Sequence, residues 1–108
     1  MRFDHIAHQV PDIADAVEWQ RRIVPGTRVL YQDDTWALVD AAGARIAFVL
    51  PEQHPGHIAY RVGDAELEEL AARHGQPIAE HRDATRSIYV RGPGDLCVEI
   101  IAYPAGVA

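Results

Sequence analysis

Apolar and polar residues alternate along residues 3–10, FDHIAHQV, with the two-residue period of a half-buried strand. Pro11-Asp12 then signals a helix start with Asp12 as its N-cap. Ile13, Ala16, Val17, Gln20 and Val24 recur at helical spacing until Pro25-Gly26 stops the run. Three short strands are predicted next, over 28–32, 36–40 and 45–50, parted by turn signals at Asp33-Asp34 and Ala42-Gly43. After residue 56 the same series begins again. Residues 57–62 read as a strand, and Asp64 caps a helix with Leu67, Leu70, Ala71 and His74 along its inner stripe. Gly75 closes that helix, and strands are predicted over 78–81, 87–91 and 96–102, the last two joined by Gly92-Pro93-Gly94-Asp95.

The recurrence is also visible residue by residue. Residues 3–12, FDHIAHQVPD, and 55–64, PGHIAYRVGD, share five identities at an offset of 52 residues, among them His5 with His57. The same offset sets Ile46, Phe48 and Val49 opposite Val98, Ile100 and Ile101. These patterns predict an α+β fold of two tandem βαβββ modules, residues 1–50 and 57–104, joined by a linker over 51–56 within one domain. A sheet with helices on one face leaves the other free. The curved mixed sheet is therefore expected to wrap a cleft.

Strand parity decides which side chains enter that cleft. With Ile6 and Val10 on the helix side, Phe3, His5, Ala7 and Gln9 face inward. With Ile58, Tyr60 and Val62 on the helix side, His57, Ala59 and Arg61 face inward. On the last strand Leu96, Val98 and Ile100 take the helix side, so Cys97, Glu99 and Ile101 face the cleft. His5, His57 and Glu99 thus converge from three strands. Two imidazoles and a carboxylate suit one divalent ion (iron, manganese, zinc or nickel) with coordination positions left open. Glu99 inside the apolar run VEII would be costly to bury uncompensated, and a cation would compensate it.

Composition narrows the partners. The 108 residues carry a net charge of −6 and no basic cluster, which argues against nucleic acid. No apolar run approaches the ~20 residues that cross a bilayer, and the amino terminus lacks a signal-peptide pattern. The single cysteine, Cys97, cannot form an internal disulfide, so a cytoplasmic setting is expected. A small-molecule substrate and a homodimer are the expected partners.

With these residues in place, the chain resembles the vicinal-oxygen-chelate superfamily: glyoxalases, small epimerases, extradiol dioxygenases, fosfomycin-resistance thiol transferases and bleomycin-resistance proteins. The resemblance rests on Phe3-Asp4-His5-Ile6-Ala7 followed by Val10-Pro11-Asp12-Ile13, on His57-Ile58-Ala59, and on residues 87–96 running into Val98-Glu99-Ile100. It implies His5, His57 and Glu99 as metal ligands. Four-ligand members add a ligand on the last strand of the first module, where this chain has Ala47 or, with a slip of one residue, Phe48. The resemblance is therefore to the three-ligand type.

Gln9, Arg45, Arg61 and Tyr89 share inward parity and are the candidates for substrate binding, with Gln9, Arg61 and Tyr89 also candidates for moving protons. His8 is expected against the helix, His74 at a helix end, His54 on the linker surface, and His81 on an ill-defined strand. Cys97, Trp19 and Trp36 read as packing residues. The expected function is a divalent-metal-dependent enzyme acting on a small oxygen-bearing substrate that chelates the ion. Lyase or isomerase chemistry, dioxygenation and thiol transfer all remain open. The alternative is a metal-free, small-molecule-binding protein of the bleomycin-resistance kind.

Overall fold

The computed structural model describes residues 1–106 of the chain. Its class is α+β: two helices and a mixed sheet of eight strands, in the chain order βαβββ twice over. The chain divides into two compact units, His5–His57 and a second made of Met1–Asp4 with the chain from Ile58 onward.

The first unit carries β1 (Arg2–Gln9), α1 (Ile13–Ile23), β2 (Arg28–Gln32), β3 (Trp36–Ala41) and β4 (Ala44–Val49), with the start of β1 counted in the other unit. Its strands lie in the order β2-β3-β4-β1, with β1 parallel to β4 and the other pairs antiparallel. α1 begins as expected: Asp12 is extended, and its carboxylate accepts the Asp15 N–H at 2.9 Å. It ends before Pro25, and Gly26 turns the chain away at φ 87°. Ile13 and Val17 bury against Ala37, Val39 and Phe48. The helix-free face holds a separate apolar group, Ala7, Ala47 and Val49 with Trp36 and Leu38. The turn between β2 and β3 is built on Asp33, which accepts from the Thr35 N–H and hydroxyl and from the Trp36 N–H. The Tyr31 hydroxyl also donates to it. These donors, Tyr31 foremost, hold the Asp33 carboxyl well below the usual carboxylate range.

The second unit carries β5 (His57–Arg61), α2 (Asp64–His74), β6 (Ala79–Glu80), β7 (Arg86–Arg91) and β8 (Cys97–Ala102), in the order β5-β8-β7-β6, with β5 parallel to β8. Leu67 and Ala71 of α2 bury against Val62, Ile88, Ile100 and Ala102, and complete burial of Leu67 stabilises by about 1.5–3 kcal/mol. Gly75, at φ 63°, closes α2 while the Gln76 N–H reaches the Ala71 carbonyl at 3.0 Å.

The two units repeat one another in register. β1 pairs β4 as Ile6 with Ile46, Ala7 with Ala47, His8 with Phe48 and Gln9 with Val49. Moved by 52 residues, those pairs become Ile58 with Val98, Ala59 with Glu99, Tyr60 with Ile100 and Arg61 with Ile101, which are the observed pairs of β5 and β8. Ala47 is therefore the first-module counterpart of Glu99.

Several local expectations are corrected. Asp64 does not cap α2; Gly63 holds that position without a side-chain bond, and Asp64 meets Arg86 at 3.2 Å instead. The strand expected over 78–81 shrinks to two residues because His81 enters a turn, its carbonyl accepting the Ala84 N–H at 3.0 Å. Leu96 lies outside β8 and is exposed, covering Gly92 rather than the helix. Ile6 and His8 are exposed too, His8 bordering an open cleft beside Asp15, Ala16 and Trp19 of α1 instead of packing beneath the helix. At the start of β1 alternation breaks: Phe3 is exposed while Asp4 and His5 are both buried, and Asp4 accepts the Tyr103 hydroxyl at 2.8 Å. Trp19, expected to pack, is 54% exposed on the outer side of α1.

Candidate metal centre

Within the first unit, β1 delivers His5, and His57, the first residue of β5, closes the same unit. Both are buried, and their Nε2 atoms lie 3.3 Å apart with the rings nearly perpendicular. His57 has its other nitrogen, Nδ1, 2.8 Å from the Pro55 carbonyl oxygen, which can only accept. The proton of a neutral His57 ring is thereby drawn to Nδ1, and Nε2 keeps a bare lone pair. That is the arrangement in which a backbone carbonyl sets the tautomer of a metal-binding histidine. The spacing fits as well, because two nitrogens ~2.0–2.1 Å from one tetrahedral ion stand roughly 3.3–3.4 Å apart.

Glu99 occupies the middle of β8 in the second unit and is 4% exposed. Ala59 lies opposite it on β5 and Tyr89 opposite it on β7. Burial first, then the negative charge of Glu99, raise the Tyr89 phenol well above its ordinary range. The phenol stays neutral and donates a hydrogen bond to the carboxylate. His81 adds Nε2 at 3.7 Å from Glu99 Oε2, and the same nitrogen is 2.7 Å from the hydroxyl oxygen of Ser87, itself fully buried. Glu99 is thus compensated partly by protein groups, where the sequence had suggested only a cation.

The remaining candidates have separate surroundings. Gln9 is exposed and donates from Nε2 to the His54 carbonyl at 2.8 Å. Arg45 lies half-buried on β4, opposite Asp40 of β3, on the face that carries Ala47. Arg61 sets its guanidinium 4.0 Å above the Tyr103 ring, whose hydroxyl reaches Asp4. Cys97 is 2% exposed, a small packed side chain. Three participants are not apparent from the sequence: His81, Ser87 and Tyr103. For His81 the usable signal is Asp83, whose carboxylate accepts the Thr85 N–H and hydroxyl and folds the chain back so that the His81 N–H meets the Thr85 carbonyl.

The fold defined by these elements is the vicinal-oxygen-chelate fold. Among solved structures it is shared with a hypothetical protein from Bacillus halodurans C-125, at TM-score 0.73 and 15% identity, covering 99% of this chain and 97% of that one. Methylmalonyl-CoA epimerase from Streptomyces coelicolor, in complex with 2-nitronate-propionyl-CoA, matches at TM-score 0.70 and 17% identity over 100% and 98% of the two chains. Homoprotocatechuate 2,3-dioxygenase from Brevibacterium fuscum matches at TM-score 0.68 and 15% identity over 94% of this chain and 33% of that one. No protein-family model and no curated protein sequence matches the chain. At such identities the likeness is one of fold. It bears out the resemblance read from the motifs at that level, and one fold carrying an epimerase and a dioxygenase leaves the reaction to be argued from the site.

Proposed function

We propose that the chain is a divalent-metal-dependent enzyme whose His5, His57 and Glu99 hold one ion, and that its substrate is a small molecule binding through oxygen atoms. The observation that carries this reading is the His5–His57 pair, whose facing nitrogens have the spacing of two ligands of one ion. Glu99, buried in the middle of β8 within its own unit, supplies the carboxylate of the set. The donor set, two imidazoles and a carboxylate, suits iron, manganese, zinc or nickel.

When bound, such an ion supplies Lewis-acid stabilisation of negative charge developing on substrate oxygen. The residues of the chain do the rest. His57 keeps its proton on Nδ1, against Pro55, so that Nε2 stays open to the ion. Tyr89, whose single hydroxyl proton lies toward Glu99, is assigned to substrate binding beside that carboxylate, where its oxygen can accept a hydrogen bond from a substrate hydroxyl. Gln9, Arg45 and Arg61 are assigned to binding the rest of the substrate. Lyase or isomerase chemistry, dioxygenation and thiol transfer share this requirement for a chelated oxygen. A cytoplasmic homodimer completes the proposal; among the described residues no helix is long and apolar enough to cross a membrane.

A second reading is a metal-free protein that binds an apolar small molecule. The helix-free face of the first unit favours it, since Ala7, Ala47, Val49, Trp36 and Leu38 gather there as one apolar group. Metal analysis of protein purified without chelator separates the two. The enzyme reading expects about one ion per chain, lost in His57→Ala. Metal-free protein that binds apolar ligands tightly, unchanged in His57→Ala, would establish the second reading.

A further inference from the structure

We propose that His81 and Tyr89 are positioning residues that lock the Glu99 carboxylate in a single orientation, with Ser87 bracing His81 from beneath. The proposal rests on the metal reading above and concerns only the second unit. Tyr89 is the direct cross-strand neighbour of Glu99 on β7, and in an antiparallel pair such neighbours have their side chains on one face. Its hydroxyl therefore approaches one carboxylate oxygen from the β7 side. His81 approaches from beyond β7, its Nε2 3.7 Å from Oε2 of Glu99. At that distance it is an electrostatic neighbour, not a hydrogen-bond donor.

The tautomer of His81 follows from what faces it. Nε2 points both at the Ser87 oxygen, 2.7 Å away, and at the carboxylate. A bare lone pair there would face a negative oxygen, whereas an N–H donates to Ser87 and presents its positive end to Glu99. Ser87 is fully buried, so the brace cannot drift. β6 ends at Glu80 and the turn after His81 is held by Asp83, which fixes the backbone from which the ring projects. A glutamate has three side-chain torsions to order. Groups on two sides remove that freedom before any ion arrives, and such outer supports of metal ligands are worth ~10–100-fold in affinity.

The test uses Co²⁺ alone as the probe, with its affinity measured by competition against a chelator and its site read from the visible d–d absorption bands. Tyr89→Phe and His81→Ala are expected to weaken Co²⁺ binding by ~10–100-fold each and to shift the absorption bands. His81→Gln, which keeps an N–H donor, is expected to restore most of the lost affinity. Thermal unfolding of the metal-free variants serves as the check on folding, and Tyr89→Phe, which removes one hydroxyl, is the variant least able to disturb it. Wild-type affinity and an unshifted spectrum in Tyr89→Phe and His81→Ala, with Glu99→Gln abolishing binding, would overturn the positioning role and leave the metal reading standing. A wild-type protein that takes up no stoichiometric Co²⁺ would overturn both.

Discussion

Across the first unit, the row Ala7–Ala47–Leu38 runs from β1 through β4 to β3; across the second, the corresponding row Ala59–Glu99–Tyr89 runs from β5 through β8 to β7. The backbone register linking the first two positions is the same in both, yet one row is wholly apolar and the other centres on a buried carboxylate with a phenol beside it. The repeat thus builds one scaffold twice, and chemistry enters through two substitutions on one copy. An apolar row asks nothing of its neighbours. A carboxylate in the same position needs donors, because an ion buried without them is strongly destabilising. Tyr89 stands where Leu38 stands in the first unit, and His81 and Ser87 supply the rest.

The sharpest way to break this comparison is Ala47→Glu, which writes the second row's carboxylate into the first without its phenol. It should destabilise the metal-free protein by about 3–5 kcal/mol in denaturant unfolding, the usual penalty for an uncompensated buried charge. A loss under ~1 kcal/mol would mean that the first row is not dry. The helix cores differ as well. Leu67→Ala in α2 should lower stability by about 2–5 kcal/mol, and Val17→Ala in α1, which deletes less apolar volume, by less; chemical denaturation of both variants checks the order.

A smaller contrast lies in the caps. α1 has the Asp12 side-chain cap and α2 has none, so Asp12→Ala should cost about 1 kcal/mol while Gly63→Ser should gain a few tenths. Gly63 has ordinary extended backbone and open space around it, so the added side chain meets no obstacle. Thermal unfolding of the two variants reads both signs. The smallest effect is acid sensitivity of the β2–β3 turn. The folded state depresses the Asp33 pKa, so this contribution is complete above the ordinary carboxylate range and disappears as pH falls through the depressed value. Amide resonances of Thr35 and Trp36, which bond to that carboxylate, should hold steady down to about pH 4 and move only in stronger acid. Movement at the pH of a free aspartate would contradict the assignment.

The match of Ile6-Ala7 with Ile58-Ala59, and of residues 46–49 with 98–101, makes the equivalence of the two modules legible in the sequence alone; which strands pair is seen only in the structure, where the fixed offset makes one module repeat the register of the other. Asp12 and Gly75 are legible for local reasons of capping and left-handed backbone. Ile6 is not, since alternation assigns a strand residue its face but does not say whether another element covers it there. His81 is hidden for a similar reason. Its side chain meets Glu99 only through a turn set by Asp83 and a two-residue strand, too short for alternation to show. Arg61 has inward parity by alternation, and nothing in its own strand announces that Tyr103, beyond the end of β8, offers its ring to the guanidinium.

The most direct measurement is anomalous diffraction from crystals grown with Co²⁺, recorded on both sides of the cobalt absorption edge. The account predicts one strong peak per chain, about 2.0–2.2 Å from Nε2 of His5, Nε2 of His57 and an oxygen of Glu99. A peak elsewhere, or none under conditions where the protein is folded and its histidines are neutral, would contradict it.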